Sequence, residues 1–432
     1  MERFCPWDGK ELRTKNITIQ FRIMLSGIKG KVNYFSYRYI LFISLCITVS
    51  YFQISGGKNL ELLVLIALSP IFLFFQKTKT DSADYMMYVM LGLMLVFGLM
   101  HSGFRWDTYI YSVCSVVSFI YLKGEIKNGK FPIYNVMTII RKVIYLYAIV
   151  LVCQQLCVLA GIPPVLCYLY DPNYPWKLPS LSPEASHLVL FILFLMYSYV
   201  LLYEEYVGHR YLLADIKNDK TLWIAYFWCM IGSGSTSGLL YVLLIFFRYF
   251  KGRTLIKTGI IFGLSFLFVN ALLSDSASFQ RILNLTSAFL TFDSSLILET
   301  DGSAAMRLSP MFYFFNNINI LDLGFWCGHG VDSGKFVLSA FMYDATGLEA
   351  YNTDEGANMG GLWGFIIDYG IIVFDLFVYA LASFMKKIKD KWIVFFYCFL
   401  MMFMAFNMQI LWFATVMLYM VYHHQQHYSK LI

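Results

Sequence analysis

Apolar runs of about 15 to 25 residues recur along the whole chain, separated by short segments that hold nearly all of its lysine and arginine. A backbone that crosses hydrocarbon must satisfy its own hydrogen bonds, which makes each such run a helix of about 20 residues. Of the 432 residues, 59% are hydrophobic and 14% are charged, whereas a soluble domain carries about a quarter charged residues. The chain therefore reads as an all-α polytopic membrane protein of about twelve transmembrane helices. Spans are expected near 38–54, 59–76, 85–100, 107–122, 143–161, 187–203, 221–232, 236–250, 258–273, 361–385, 392–406 and 409–423. The seventh and eighth, and the last two, are read as pairs of short helices and not as single broken ones.

The basic residues set the orientation. With the N-terminus in the cytoplasm, all but six of the 33 basic residues fall on the cytoplasmic side, the exceptions being Lys58, Arg105, Lys177, Arg281, Arg307 and Lys335. This gives a cytoplasmic N-terminal segment over 1–37, a transmembrane domain over 38–423 and a cytoplasmic tail over 424–432. The segment before the first span has no apolar core with a small-residue cleavage site, so that span is expected to act as the targeting signal. The net charge of +6 sits in clusters beside apolar runs and argues for topology, not for nucleic acid. Most of the nine cysteines lie inside apolar runs, where Cys acts as a small hydrophobe. No metal spacing emerges, and no metal or cofactor is expected. Cys167 and Cys327, in different external loops, are free thiols unless geometry brings them together.

Two external loops are long enough for chemistry. The first, 162–186, is rich in proline and aromatic residues, a composition that stiffens the chain. Its Tyr174 and Trp176 offer faces for sugar rings, or anchors at the membrane interface. The second, 274–360, carries ten acidic residues against Arg281, Arg307 and Lys335. Its segments SFQRILNLTSAFLTF and AAMRLSPMFYFFNNI place apolar residues at helical spacing. A guanidinium presents a planar fork of donors that suits a diphosphate without a metal, so Arg307 and Arg281 are the candidate phosphate ligands; the bland alternative is a pairing with neighbouring carboxylates. His329, in the sequence GHG, is the loop's only histidine and a candidate general base. Glu184, Asp354 and Glu355 are carboxylate alternatives.

From GSGSTSGLLYVLLIFF, through Arg281, through GSAAMRLSPMFYFFNNINILDLGFWCGHGVDS, to EGANMGGLWGFIIDYGIIVFDLFVYAL, the chain resembles the O-antigen polymerase and ligase family of class C glycosyltransferases. PSLSPEASHLVLFIL is similar to that family's Glu/Pro/Ser segment before a span. The likeness covers about residues 162–385. It implies polymerisation of undecaprenyl-diphosphate-linked repeat units into a surface polysaccharide, by a metal-independent inverting transfer on the periplasmic face of the bacterial inner membrane. It also implies a lipid-linked glycan as both donor and acceptor, and a chain-length regulator among candidate partners. Arg307 then matches the loop arginine that binds the donor diphosphate, Arg281 a second one, and Asn358 the position that opens the next helix at the substrate. Ligases of the family carry His just before that Asn, whereas this chain reads Gly356-Ala357-Asn358, which favours a polymerase. The alternatives are a ligase-like enzyme, or a transporter or flippase of lipid-linked sugars. A transporter usually shows repeated halves with a site at mid-membrane, and no internal repeat is seen here.

Overall fold

The computed structural model describes residues 36–47, 53–54, 58–76, 79–101, 104–167, 170–172, 174–235, 237–238, 241–242, 245, 302–317, 319–346 and 361–428. The architecture is helical. In chain order the described helices are α1 (Tyr37–Leu45), α2 (Leu60–Ala67), α3 (Ser69–Phe74), α4 (Ser82–Leu99), α5 (Trp106–Lys127), α6 (Ile133–Leu159), α7 (Ala185–Val207), α8 (Leu213–Asn218) and α9 (Lys220–Gly232). They continue with α10 (Gly302–Asn316), α11 (Leu323–Cys327), α12 (Gly334–Thr346), α13 (Gly361–Met385), α14 (Lys391–Phe403) and α15 (Gln409–Tyr428). Four of them, α4, α6, α7 and α13, are long and apolar enough to cross a membrane, so the chain is a membrane protein. The N-terminal segment and the spans expected at 236–250 and 258–273 lie wholly or largely outside the described residues.

The first two expected spans are corrected. Among the described residues of the run over 38–54, the helix covers Tyr37–Leu45, and Gln53–Ile54 pair antiparallel with Lys58–Asn59, the one ladder among the described residues. The run over 59–76 breaks into α2 and α3 at Leu68. Pro70 stands in the first turn of α3, where its missing N–H is harmless although it cannot continue the preceding helix. Ser69, fully buried at this break, bonds Tyr37 Oη at 2.6 Å and Ser118 Oγ at 2.7 Å. The final helix runs past the expected limit of 423 to Tyr428.

Of the two expected short-helix pairs, the last is described as two helices, α14 and α15, whereas the second member of the earlier pair lies largely outside the described residues. After α9 the chain turns through Ser233 and Gly234 (φ +68°), and Tyr226 Oη donates to Tyr241 O at 3.5 Å. Residues 404–408 separate α14 from α15, with the Trp412 indole donating to Phe406 O at 2.8 Å.

Helix α7 is the central post, with 89% of its apolar window buried inside the protein, and it packs on α6, α9, α14 and α15. An aromatic core fills the space beside it: Phe191 meets Phe413 at 4.6 Å, and Phe406 meets Phe365 at 4.5 Å and Trp412 at 5.2 Å. Helix α4 packs along α13 and antiparallel to α5, a register fixed by Tyr109 Oη donating to Leu91 O and by the Lys123–Asp84 pair. This hairpin gives the domain two chemically distinct ends, separated by the roughly 27 Å length of α4.

Candidate functional site

The segment 274–360 folds as α10, α11 and α12 across its described part, so the helix expected from AAMRLSPMFYFFNNI is present. Aromatic contacts seat it on α13: Trp363 touches Phe314 at 5.1 Å and Phe315 at 5.0 Å. Between α11 and α12 lies the GHG turn. It docks where α13 breaks, at Gly370, whose backbone (φ +79°, ψ +167°) is not helical.

The docking is made by main chain. His329 N–H donates to Ile367 O at 2.8 Å, Gly330 N–H to Asp368 O at 3.0 Å, and Gly334 N–H to Asp368 Oδ1 at 2.9 Å. The approach is too close for side chains. A Cβ on Gly370 would run into the Trp326 carbonyl, and one on Gly328 (φ +76°) into the Asp368 carbonyl. Glycine at both places lets two backbones meet.

The His329 side chain is half-buried, facing Tyr313 of α10 at a ring distance of 6.5 Å. Its ring and the Asp322 carboxylate both come within about 3 Å of the space beside Gly324. Burial pushes the imidazole below its ordinary pKa, with Asp322 opposing the shift and His101 adding to it. A ring kept neutral near pH 7 can accept a proton. Arg307 lies on α10, about 9 Å along the axis from Tyr313, so the helix that faces His329 also carries the candidate phosphate ligand.

A third element closes the turn. Arg105, in the connection between α4 and α5, binds Asp332 Oδ2 through Nη1 at 2.9 Å, and Lys335 lies 3.7 Å from the same oxygen. Asp332 has φ +60°, a left-handed backbone uncommon for a residue with a side chain. The sequence reading missed Arg105 and Asp332. Arg105 counted only as one of the few outward charges, and that rarity was the signal available.

The other expected site residues are placed elsewhere or not described. The segment 162–186 is stapled to α6, with Ser180 N–H donating to Gln154 Oε1 at 2.8 Å and Ser180 Oγ to Tyr147 O at 2.7 Å. It also meets the turn after α9, through Leu178 N–H to Ser233 O at 3.0 Å. Tyr174 and Trp176 are exposed on it. Glu184, exposed at the start of α7, accepts from Ser186 Oγ at 3.0 Å. These three stand on the α6, α7 and α9 wall, whereas His329 stands on α4 and α13. Arg281, Asp354, Glu355 and Asn358 lie outside the described residues. Cys327 is a free thiol and is not joined to Cys167.

No protein-family model, curated protein or solved structure matches the chain.

Proposed function

We propose that the chain is a glycosyltransferase that polymerises undecaprenyl-diphosphate-linked repeat units into a surface polysaccharide, O-antigen or similar, at the periplasmic face of a bacterial inner membrane. The full complement of about twelve spans, with 274–360 outward, belongs to this reading. The observation that carries it is the GHG turn docked into the break of α13, which sets His329, half-buried and with its pKa lowered by that burial, beside the helix that bears Arg307.

The chemistry such a pair can perform is a direct displacement. The acceptor hydroxyl attacks the anomeric carbon of the donor, the bond from that carbon to the diphosphate oxygen breaks, and the hydroxyl proton passes to His329. Negative charge collects on the departing diphosphate, where a fixed guanidinium stabilises it most strongly if water is scarce. A base with a near-neutral pKa is matched to the hydroxyl proton. Glu184 is the carboxylate alternative for that step, and Tyr174 and Trp176 offer stacking faces for the acceptor glycan.

The test uses purified protein, undecaprenyl-diphosphate-linked repeat units and excess chelator, with polymer ladders read on a gel. Arg307→Ala is expected to cost about 3 kcal/mol, roughly a hundredfold in rate. Arg307→Lys keeps the charge and loses the fork, and a large loss is expected there too. Full activity of well-folded Arg307→Ala overturns the diphosphate role, and abolition by chelator alone overturns the metal-free mechanism.

A further inference from the structure

The GHG turn is held on two sides, and only one of them is accounted for by backbone docking. Toward α13 it makes the three main-chain hydrogen bonds from His329, Gly330 and Gly334. Toward α4 it meets the connection to α5, where Gly330 crowds His101, with only 3.1 Å between a Cβ on Gly330 and the His101 Cβ. Val331 is fully buried beneath it. Among the described residues, the charged contact on this side is Arg105 Nη1 to Asp332 Oδ2 at 2.9 Å.

Asp332 is where that contact matters. Its backbone is left-handed at φ +60°, a state that persists only when surrounding contacts over-determine it. The Arg105 fork is well suited to supply them. Arg105 immediately precedes α5 and is anchored by a long buried helix, and a guanidinium holds a carboxylate with more directional control than an ammonium does. Lys335, at 3.7 Å from the same oxygen, is the weaker partner. Asp107, at 3.7 Å from Arg105 Nε, braces the guanidinium from the other side.

We infer that Arg105 is a positioning residue: its ion pair with Asp332 straps the Gly328–Gly334 turn to the α4–α5 connection and so fixes where the His329 imidazole stands. Without the strap the turn keeps its bonds to α13 and the packing of Val331 but loses its charged hold on the α4–α5 connection, and the left-handed Asp332 is free to relax. This inference rests on the reading of His329 as the base. The strap itself is independent of that reading and can be measured without catalysis.

Ser333 supplies the probe, because its Oγ is buried within the turn. In full-length protein in lipid nanodiscs, Ser333→Cys is labelled with a maleimide and the modified peptide is quantified by mass spectrometry. Adding Arg105→Gln is expected to speed labelling about tenfold, the factor from losing one charged hydrogen bond. Asp332→Asn should do the same, and the double variant should be no faster than either single one, as for two residues in one interaction. Arg105→Lys, which keeps the charge and loses the fork, should restore only part of the protection. In the polymerisation assay, on a background with native Ser333, Arg105→Gln should lower kcat while KM for the acceptor holds. Labelling of the Arg105→Gln protein at the parent rate overturns the strap, as does a double variant that multiplies the two single effects. Full activity of His329→Gln overturns the base and leaves the strap to stand on the labelling.

Discussion

The two ends of the α4–α5 hairpin carry ion pairs of opposite character. At the end assigned to the cytoplasm, Lys123 is 3% exposed and binds Asp84, itself 5% exposed, at 2.6 Å and Asp81 at 2.7 Å, while Lys127 takes the other Asp81 oxygen at 2.6 Å. Arg38 reaches Glu125 at 3.0 Å, and the Gln76 amide bonds the same carboxylate. At the far end, Arg105 and Asp332 are each about a quarter exposed, and the carboxylate sits on strained backbone. The first network ties α1, α4 and α5 together, has no unusual backbone, and reads as a clamp. The second pins a turn whose glycines and left-handed aspartate show that the chain is forced there. Strain next to a titratable side chain is a pointer to function; in a dense, relaxed charge network the consequence is that losing one partner strands a buried charge.

The largest effect separating the ends is expected from Lys123→Met. It leaves Asp84 buried without its counter-charge, a change that costs about 3–5 kcal/mol, and Lys123→Met with Asp84→Leu should recover most of it. Thermal unfolding in detergent reads both, and wild-type stability of the single variant would break the clamp. A smaller effect is expected from Gly370→Ala, which combines φ +79° with a collision against the Trp326 carbonyl. Strain of this kind costs about 1–3 kcal/mol, and because the turn must shift away, polymerisation should fall by more than the stability loss explains.

Acid should also separate the ends. Burial alone would raise the Asp81 carboxyl, but hydrogen bonds from Lys123 and Lys127 override it and hold the group well below the carboxylate range. Its stabilisation is therefore complete above about pH 4 and lost as pH falls through the lowered value. His329 is also lowered, so the unfolded chain takes up the proton first. Stability is lost on that account already below about pH 6.5.

Much of the fold was legible because apolar length is a local property. The run read as 361–385 is α13 to the residue, and α4 and α7 differ from their expected limits by a few residues at most at each end. Hydropathy failed where a single residue overrules a window, as Pro70 does between α2 and α3, and where a short ladder forms around a Ser-Gly-Gly sequence. The site was legible in part. His329 stood out as the one histidine of an acidic loop, and Gly370 lay within the EGANMGGLWGFIIDYGIIVFDLFVYAL segment that carries the resemblance, but nothing local marks it as the seat of the turn. Arg105 and Asp332 are far apart in sequence, and each alone is an ordinary loop charge; only the packing of α4 on α13 makes them partners.

The central claim is that the turn at His329 is the catalytic end of the molecule. It is tested most directly by polymer ladders from purified wild-type and His329→Gln protein, between pH 5 and pH 8. The wild-type rate should fall toward acid with a midpoint below about pH 6.5, because burial lowers the ring's pKa from that of a free histidine. His329→Gln should lose about a hundredfold or more, the contribution of a positioned base, and with it that acid limb. A folded His329→Gln protein that elongates at the wild-type rate with the same acid limb would contradict the account.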